Sequence, residues 1–237
     1  MDLKKINDAL NQYIRPQTFP VALKLCQSDD ELPERVRMPM RDLGYQIALC
    51  QATALTRRFG WTMALGKEDQ CCIAGARTMG FESAGAGGPV GEDKQLEPGK
   101  YKYHLTASLE RTDFEPDVIL IYGNSAQIMR LVQSAIGGPG GQGTVNAVAT
   151  GFGDCGDIAA RTVLSGECQF ILPSGGDRIF GSTQDHEVIF TIPKSKVEAV
   201  VGGLENTHKI GFRYPVINDI RHRPNLPPFM EIPKKAE

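Results

Sequence analysis

The chain has 237 residues, 41% hydrophobic and 23% charged, with a formal net charge of -2 and a pI near 6.1. This balance suits one large globular unit with a full core and offers no basic field for neutralising phosphates, so sequence-independent DNA or RNA binding is not expected. The opening MDLKKINDALNQYIRPQTFPV lacks the apolar core of a secretory signal, and no apolar run approaches the roughly 18 residues of a membrane span. A cytoplasmic protein without membrane attachment is the expectation.

Leu3, Ile6, Leu10 and Ile14 recur at three- and four-residue steps and predict a first helix ending before Pro16. FPVALKLC (19–26) reads as a buried strand, and the polar, proline-punctuated DDELPERVRMPM that follows reads as loop. YQIALCQATALTRRF (45–59) is a helix pattern closed by Gly60, with Cys50 inside it and Arg57 and Arg58 placed to complement its C-terminal dipole. A strand near Trp61–Leu65 precedes a short helix over CCIAGARTMGF. The glycine-, proline- and charge-rich stretch 84–99 is either a boundary between lobes or a lid.

Strands follow at 101–109 and at DVILIY (117–122), which turns through Gly123-Asn124-Ser125 into the helix AQIMRLVQSAI. After GGPGGQG (137–143) a strand is expected near Val145–Thr150, and GFGDCGD opens the helix IAARTVL with Cys155 at its start. CQFILP, RIFG and EVIFTIP read as strands, followed by a helix from Lys194 to about Asn206 and a proline-rich tail. Early alternation and late clustering of strands predict an α+β or mixed α/β domain, with a mixed sheet, flanking helices and no short-period repeat.

Six cysteines in a chain expected to be cytoplasmic are core filler, metal ligands or reactive groups before they are disulfides. No C-x-x-C pair suggests a zinc ribbon, and the adjacent Cys71 and Cys72 point in different directions. Iron-sulfur ligands, by contrast, are free to come from distant segments. Cys72 and Cys155 stand at predicted helix starts with glycines nearby, where backbone N–H groups favour thiolate. Cys26, Cys50 and Cys168 also fit as small hydrophobes, and this is the preferred reading of Cys26 and Cys168. A reactive thiol at Cys71 or Cys72 lacks a base, since His104, His186, His208 and His222 form no cysteine motif.

Two further places are suited to a small anion. Asn124 and Ser125 begin a helix, although capping explains them equally well. SGGDR joins two glycines to Asp177 and Arg178, a grip for a carboxylate or phosphate unless it is a hairpin turn with a surface ion pair.

TFPVALKL, CQATALTRRFGW, EDQCCIAGARTMGF, FEPDVILIYGNSAQIMRLVQSAI, GDRIFGSTQDHEVIFTIP and GLENTHKIGFRYP together resemble the domain of unknown function 169, found mostly in archaea and anaerobic bacteria. The resemblance covers nearly the whole chain and implies a single family domain over 1–237. It singles out Cys50, Cys72 and Cys155 as matching the family's cysteine positions. That pattern often carries further cysteines where this chain has Gln70 and Ser174, which leaves a fourth ligand open, with Cys71 as one choice. Anaerobic hosts favour an oxygen-sensitive iron-sulfur cluster, 4Fe-4S among the types, held by Cys50, Cys71, Cys72 and Cys155 and serving electron transfer or a redox enzyme with a redox partner. The competing expectation is a cluster-free module holding a small anion at Asn124, Ser125, Asp177 and Arg178, or an assembly subunit with structural cysteines. Self-association into a homo-oligomer stays open.

Overall fold

A computed structural model describes residues 1–83, 95–138, 141–148, 151, 153–216 and 226–231. Seven strands form one mixed sheet: β1 (Val21–Cys26), β2 (Met63–Leu65), β3 (Tyr103–Ser108), β4 (Val118–Gly123), β5 (Val145–Val148), β6 (Cys168–Ile171) and β7 (Val188–Pro193). Their spatial order is β2-β3-β1-β4-β7-β6-β5. All neighbours are antiparallel except β5 and β6, which run parallel with Val145 opposite Cys168. With helices on both faces, this is an α+β fold.

The strands are apolar at consecutive positions because both faces are covered. Ile119 and Ile121 of β4 and Phe190 and Ile192 of β7 face α1 (Leu3–Tyr13), α4 (Ser125–Ala135) and α7 (Val197–Lys209), where Leu10, Leu131 and Leu204 complete that core. Val118, Leu120, Ile171 and Ile189 point the other way, toward α2 (Leu49–Phe59), α3 (Ile73–Thr78) and a π-helical segment, Asp154–Ala160, that runs into α5 (Arg161–Ser165). Buried hydroxyl pairs pin this second layer to the sheet. Thr56 of α2 meets Thr106 of β3 at 2.8 Å, and Thr162 of α5 meets Thr191 of β7 at 2.8 Å.

Two sequence expectations are corrected. RIFG is not a strand: Gly175–Ile179 forms α6, because Ser174 Oγ accepts from Asp177 N and the Asp177 carboxylate accepts from Ser174 N, a reciprocal cap that starts a helix. The helix expected from residue 45 begins at Leu49, because Ile47 is held extended by its N–H to Asp69 O (2.9 Å) and its carbonyl to Cys71 N (3.2 Å). The suggested lobe boundary or lid falls largely on 84–94, the glycine loop 137–143 includes 139–140, the expected end of β5 includes 149–150, and most of the proline-rich tail is 217–225 and 232–237. These stretches lie outside the described residues. Among the described residues no helix is long and apolar enough to cross a membrane.

Candidate thiol site

The delayed start of α2 places Cys50 in its first turn rather than mid-helix. Cys72 is the extended residue capping α3, Cys155 lies in the first turn of the π-helical segment, and Ser174 caps α6. These four helical elements begin around one cleft of about 530 Å³, lined by Cys50, Cys71, Cys72, Cys155, Ser174 and Asp177, with Phe180 at its wall. Cys50 is buried, Cys72 and Cys155 are half-buried and Cys71 is exposed. The Cys50 thiol donates to Gly176 O at 3.8 Å, joining the starts of α2 and α6.

Asp177 fastens two walls together, since its carboxylate accepts from Ser174 N (2.6 Å) and Asp154 N (3.1 Å). Gly153 makes this approach possible: its φ is +45°, and a Cβ there would lie 1.9 Å from Asp177 Oδ2. Behind the cleft, Tyr122 Oη donates to Asp154 Oδ1 at 3.3 Å, and the Arg57 guanidinium lies 4.1 Å from the Tyr122 ring centre. Asp154 Oδ2 is buried with no hydrogen-bond partner among the described residues.

The electrostatics oppose anions. Burial and the neighbouring Asp177 push the Asp154 carboxyl up to about 7. Burial raises the Cys50 thiol above its ordinary range, with Asp154, Asp177 and Cys72 acting the same way. Cys155 is raised by burial and by Asp154, Cys50, Cys72 and Asp177, and Cys71 by burial and Cys72. Lys, Arg and His are absent from the described lining. Each of these effects favours the protonated thiol at Cys50, Cys71 and Cys155. Among the described residues no group of three or more His, Cys, Asp and Glu side chains is arranged to hold a metal ion.

The other expected site residues lie apart from one another. Asn124 caps α4, its Oδ1 accepting from Ala126 N and Gln127 N at 3.0 Å each and its Nδ2 donating to Tyr214 Oη, and Ser125 is the first residue of that helix. Arg178 donates to Gln184 O (2.9 Å) beside Asp185. Neither Arg178 nor the Asn124-Ser125 turn lines the cysteine cleft, whereas Asp177 does. Cys26 and Cys168 are fully buried in β1 and β6. Sequence reasoning passed over Asp154 as a cleft neighbour and Ser174 as a helix cap, although the Ser-x-x-Asp spacing of the latter was a legible capping signal.

The molecule is thus an α+β protein with a thiol-lined cleft at the meeting of four helix starts. It belongs to the DUF169 family, described as uncharacterised ArCR, whose model matches residues 9–203. It is also similar to the "Uncharacterized protein MJ0308" of Methanocaldococcus jannaschii, 24% identical over 211 residues that cover 80% of this chain and 88% of that protein. No solved structure matches it.

Proposed function

We propose that the cleft holds a cysteine-ligated iron-sulfur cluster and that the protein serves electron transfer or redox chemistry in the reducing cytoplasm. The observation that carries this reading is that Cys50, Cys71, Cys72 and Cys155, from three separate stretches of chain, line one cleft. Cys50, Cys72 and Cys155 would be ligands, with Cys71 or a non-cysteine group completing the set. The donor type fits, because cysteine thiolates are the ligands of iron-sulfur clusters, and the raised thiols beside Asp154 and Asp177 would each release a proton on binding, so loading is expected to strengthen as pH rises. When bound, a cluster supplies a one-electron centre. The chain's own residues fix the thiols at helix starts and tie the walls together through Asp177.

The anion-binding alternative at Asn124, Ser125, Asp177 and Arg178 has less support, since these groups are separated and engaged by the protein. Anaerobic purification with iron and sulfide analysis and a visible spectrum tests the proposal. Iron, sulfide and colour are expected, and each should disappear in Cys50→Ser, Cys72→Ser and Cys155→Ser but survive in Cys26→Ser and Cys168→Ser. Colourless, iron-free protein from anaerobic cells would sink it.

A further inference from the structure

At the opposite end of α2 from Cys50, seven residues or roughly 10 Å along the helix, lies a second cavity of about 360 Å³. Its polar lining comes from Asn7 and Asn11 of α1, Gln17 and Thr18 of the following turn, and Arg57 and Arg58 of α2. Three observations mark it as a binding site.

The first is Asn7. It is only 8% exposed, on the face that α1 buries with Ile6 and Leu10, yet its side chain makes no hydrogen bond with any described residue. Its amide atoms have no partner among the described residues and remain accessible from the cavity, where they are available to a ligand.

The second is charge. Arg57 is 1% exposed and meets Glu187 through two hydrogen bonds of 2.8 and 3.1 Å. Arg58 lies 3.8 Å from the same carboxylate and donates its Nη2 to Ser182 O, while its Nη1 has no partner among the described residues. Glu110, which also borders the cavity, is paired with Arg111 at 3.1 Å. Two guanidinium groups against Glu187 leave one positive charge facing the space.

The third is backbone geometry. Among the described residues the two non-glycine residues with left-handed φ, Arg15 at +53° and Ser182 at +51°, both flank this cavity. Arg15 precedes the Pro16-Gln17-Thr18 turn, and the turn is held by Gln127 Nε2 donating to Ile14 O and Arg15 O. The Ser182 carbonyl accepts from both arginines. Arg15 takes this conformation as the residue that closes α1, its N–H reaching Leu10 O at 3.0 Å, whereas the conformation of Ser182 holds its carbonyl against both arginines.

We infer that this cavity binds a small monocarboxylate bearing a polar substituent, with Arg58 pairing the carboxylate and Asn7, Asn11, Gln17 and Thr18 hydrogen-bonding the remainder. A single residual positive charge matches a monoanion. A phosphate dianion would bring excess negative charge beside Glu187 and Glu110. The site is independent of whatever the cysteine cleft holds.

Titration of the full-length protein with L-lactate as the carboxylate probe, with inorganic phosphate in comparison, tests this by calorimetry and amide chemical shifts. Saturable lactate binding with a dissociation constant below about 10 mM is expected. Arg58→Gln should weaken it at least tenfold. Arg58 is partly exposed, so the variant should fold. Asn7→Leu should also weaken binding, because it removes the amide that Asn7 offers to the cavity. Absence of saturable lactate binding, tighter binding of phosphate, or unchanged affinity in Arg58→Gln would each overturn the inference. Unchanged lactate affinity in Asn7→Leu would overturn the role given to Asn7.

Discussion

His104 sits in β3, fully buried, with neither ring nitrogen hydrogen-bonded among the described residues. Burial drives its pKa down to about 3. The unfolded chain takes up a proton below about pH 6.5 while the folded chain does not, so this residue's contribution is intact above that pH and is lost as pH falls toward 3. At pH 5 the loss is about 2 kcal/mol relative to pH 8. His104→Leu should therefore stabilise the protein more at pH 5 than at pH 8 in urea denaturation; an equal gain at both would contradict the argument. Arg57 teaches a different lesson about single residues. In sequence it reads as a charge at a helix end, but its partner Glu187 is 130 positions away and fully covered, a relation that no local pattern encodes. Arg57→Met leaves that buried carboxylate with Arg58 at 3.8 Å and the Gln184 N–H alone and should cost roughly 3 kcal/mol. A change below about 1 kcal/mol in the same assay would show the pair to be dispensable.

Elements were legible where periodicity was strong. The stripe of α1, the largely apolar runs of β4 and β7, and the capped start of α4 all appear where the pattern of residues puts them. The misses came from competition between signals. Ile179 and Phe180 suggested a strand, but the Ser174-Asp177 cap outweighed β propensity and both side chains remain exposed. The bridge of Ile47 to Gln70 likewise removed the first turn expected of α2. Within α7, neighbouring glycines should behave oppositely. A Cβ on Gly203 would come within 2.3 Å of the Ser134 carbonyl of α4, whereas one on Gly202 meets nothing within 4 Å. Gly203→Ala is expected to cost about 1–3 kcal/mol by forcing α4 and α7 apart, while Gly202→Ala should gain about 0.5–1 kcal/mol from helix propensity. Thermal melts of the two variants that shift in the same direction would refute this account of the contact.

For the molecule as a whole, membership of an α+β class was readable from the succession of elements, but strand order was not, because pairing partners such as β4 and β7 are some 70 residues apart. The cysteines were the exception. Small residues and predicted helix starts marked Cys72 and Cys155, and the fold brings both to the cleft with Cys50 and Cys71. If the cleft is loaded, binding energy must be distributed to the elements that form it. Reconstitution with iron and sulfide is expected to slow hydrogen exchange at the starts of α2, α3 and the π-helical segment and to leave α1, α4 and α7 unchanged. Uniform protection of both layers would point to a global effect instead.

The strand order also bears on how firmly this cleft is held. β7, the last of the described strands in chain order, is inserted between β4 and β6 and joins the two portions of sheet that precede it. Until β7 is in place, β4 presents a bare edge, and the β5-β6 pair is tied to the portion carrying α2 and α3 only through the packing of the π-helical segment on those helices. A chain that stops before residue 188 is therefore expected to hold Cys155 less firmly against Cys50 and Cys72 than the full chain does.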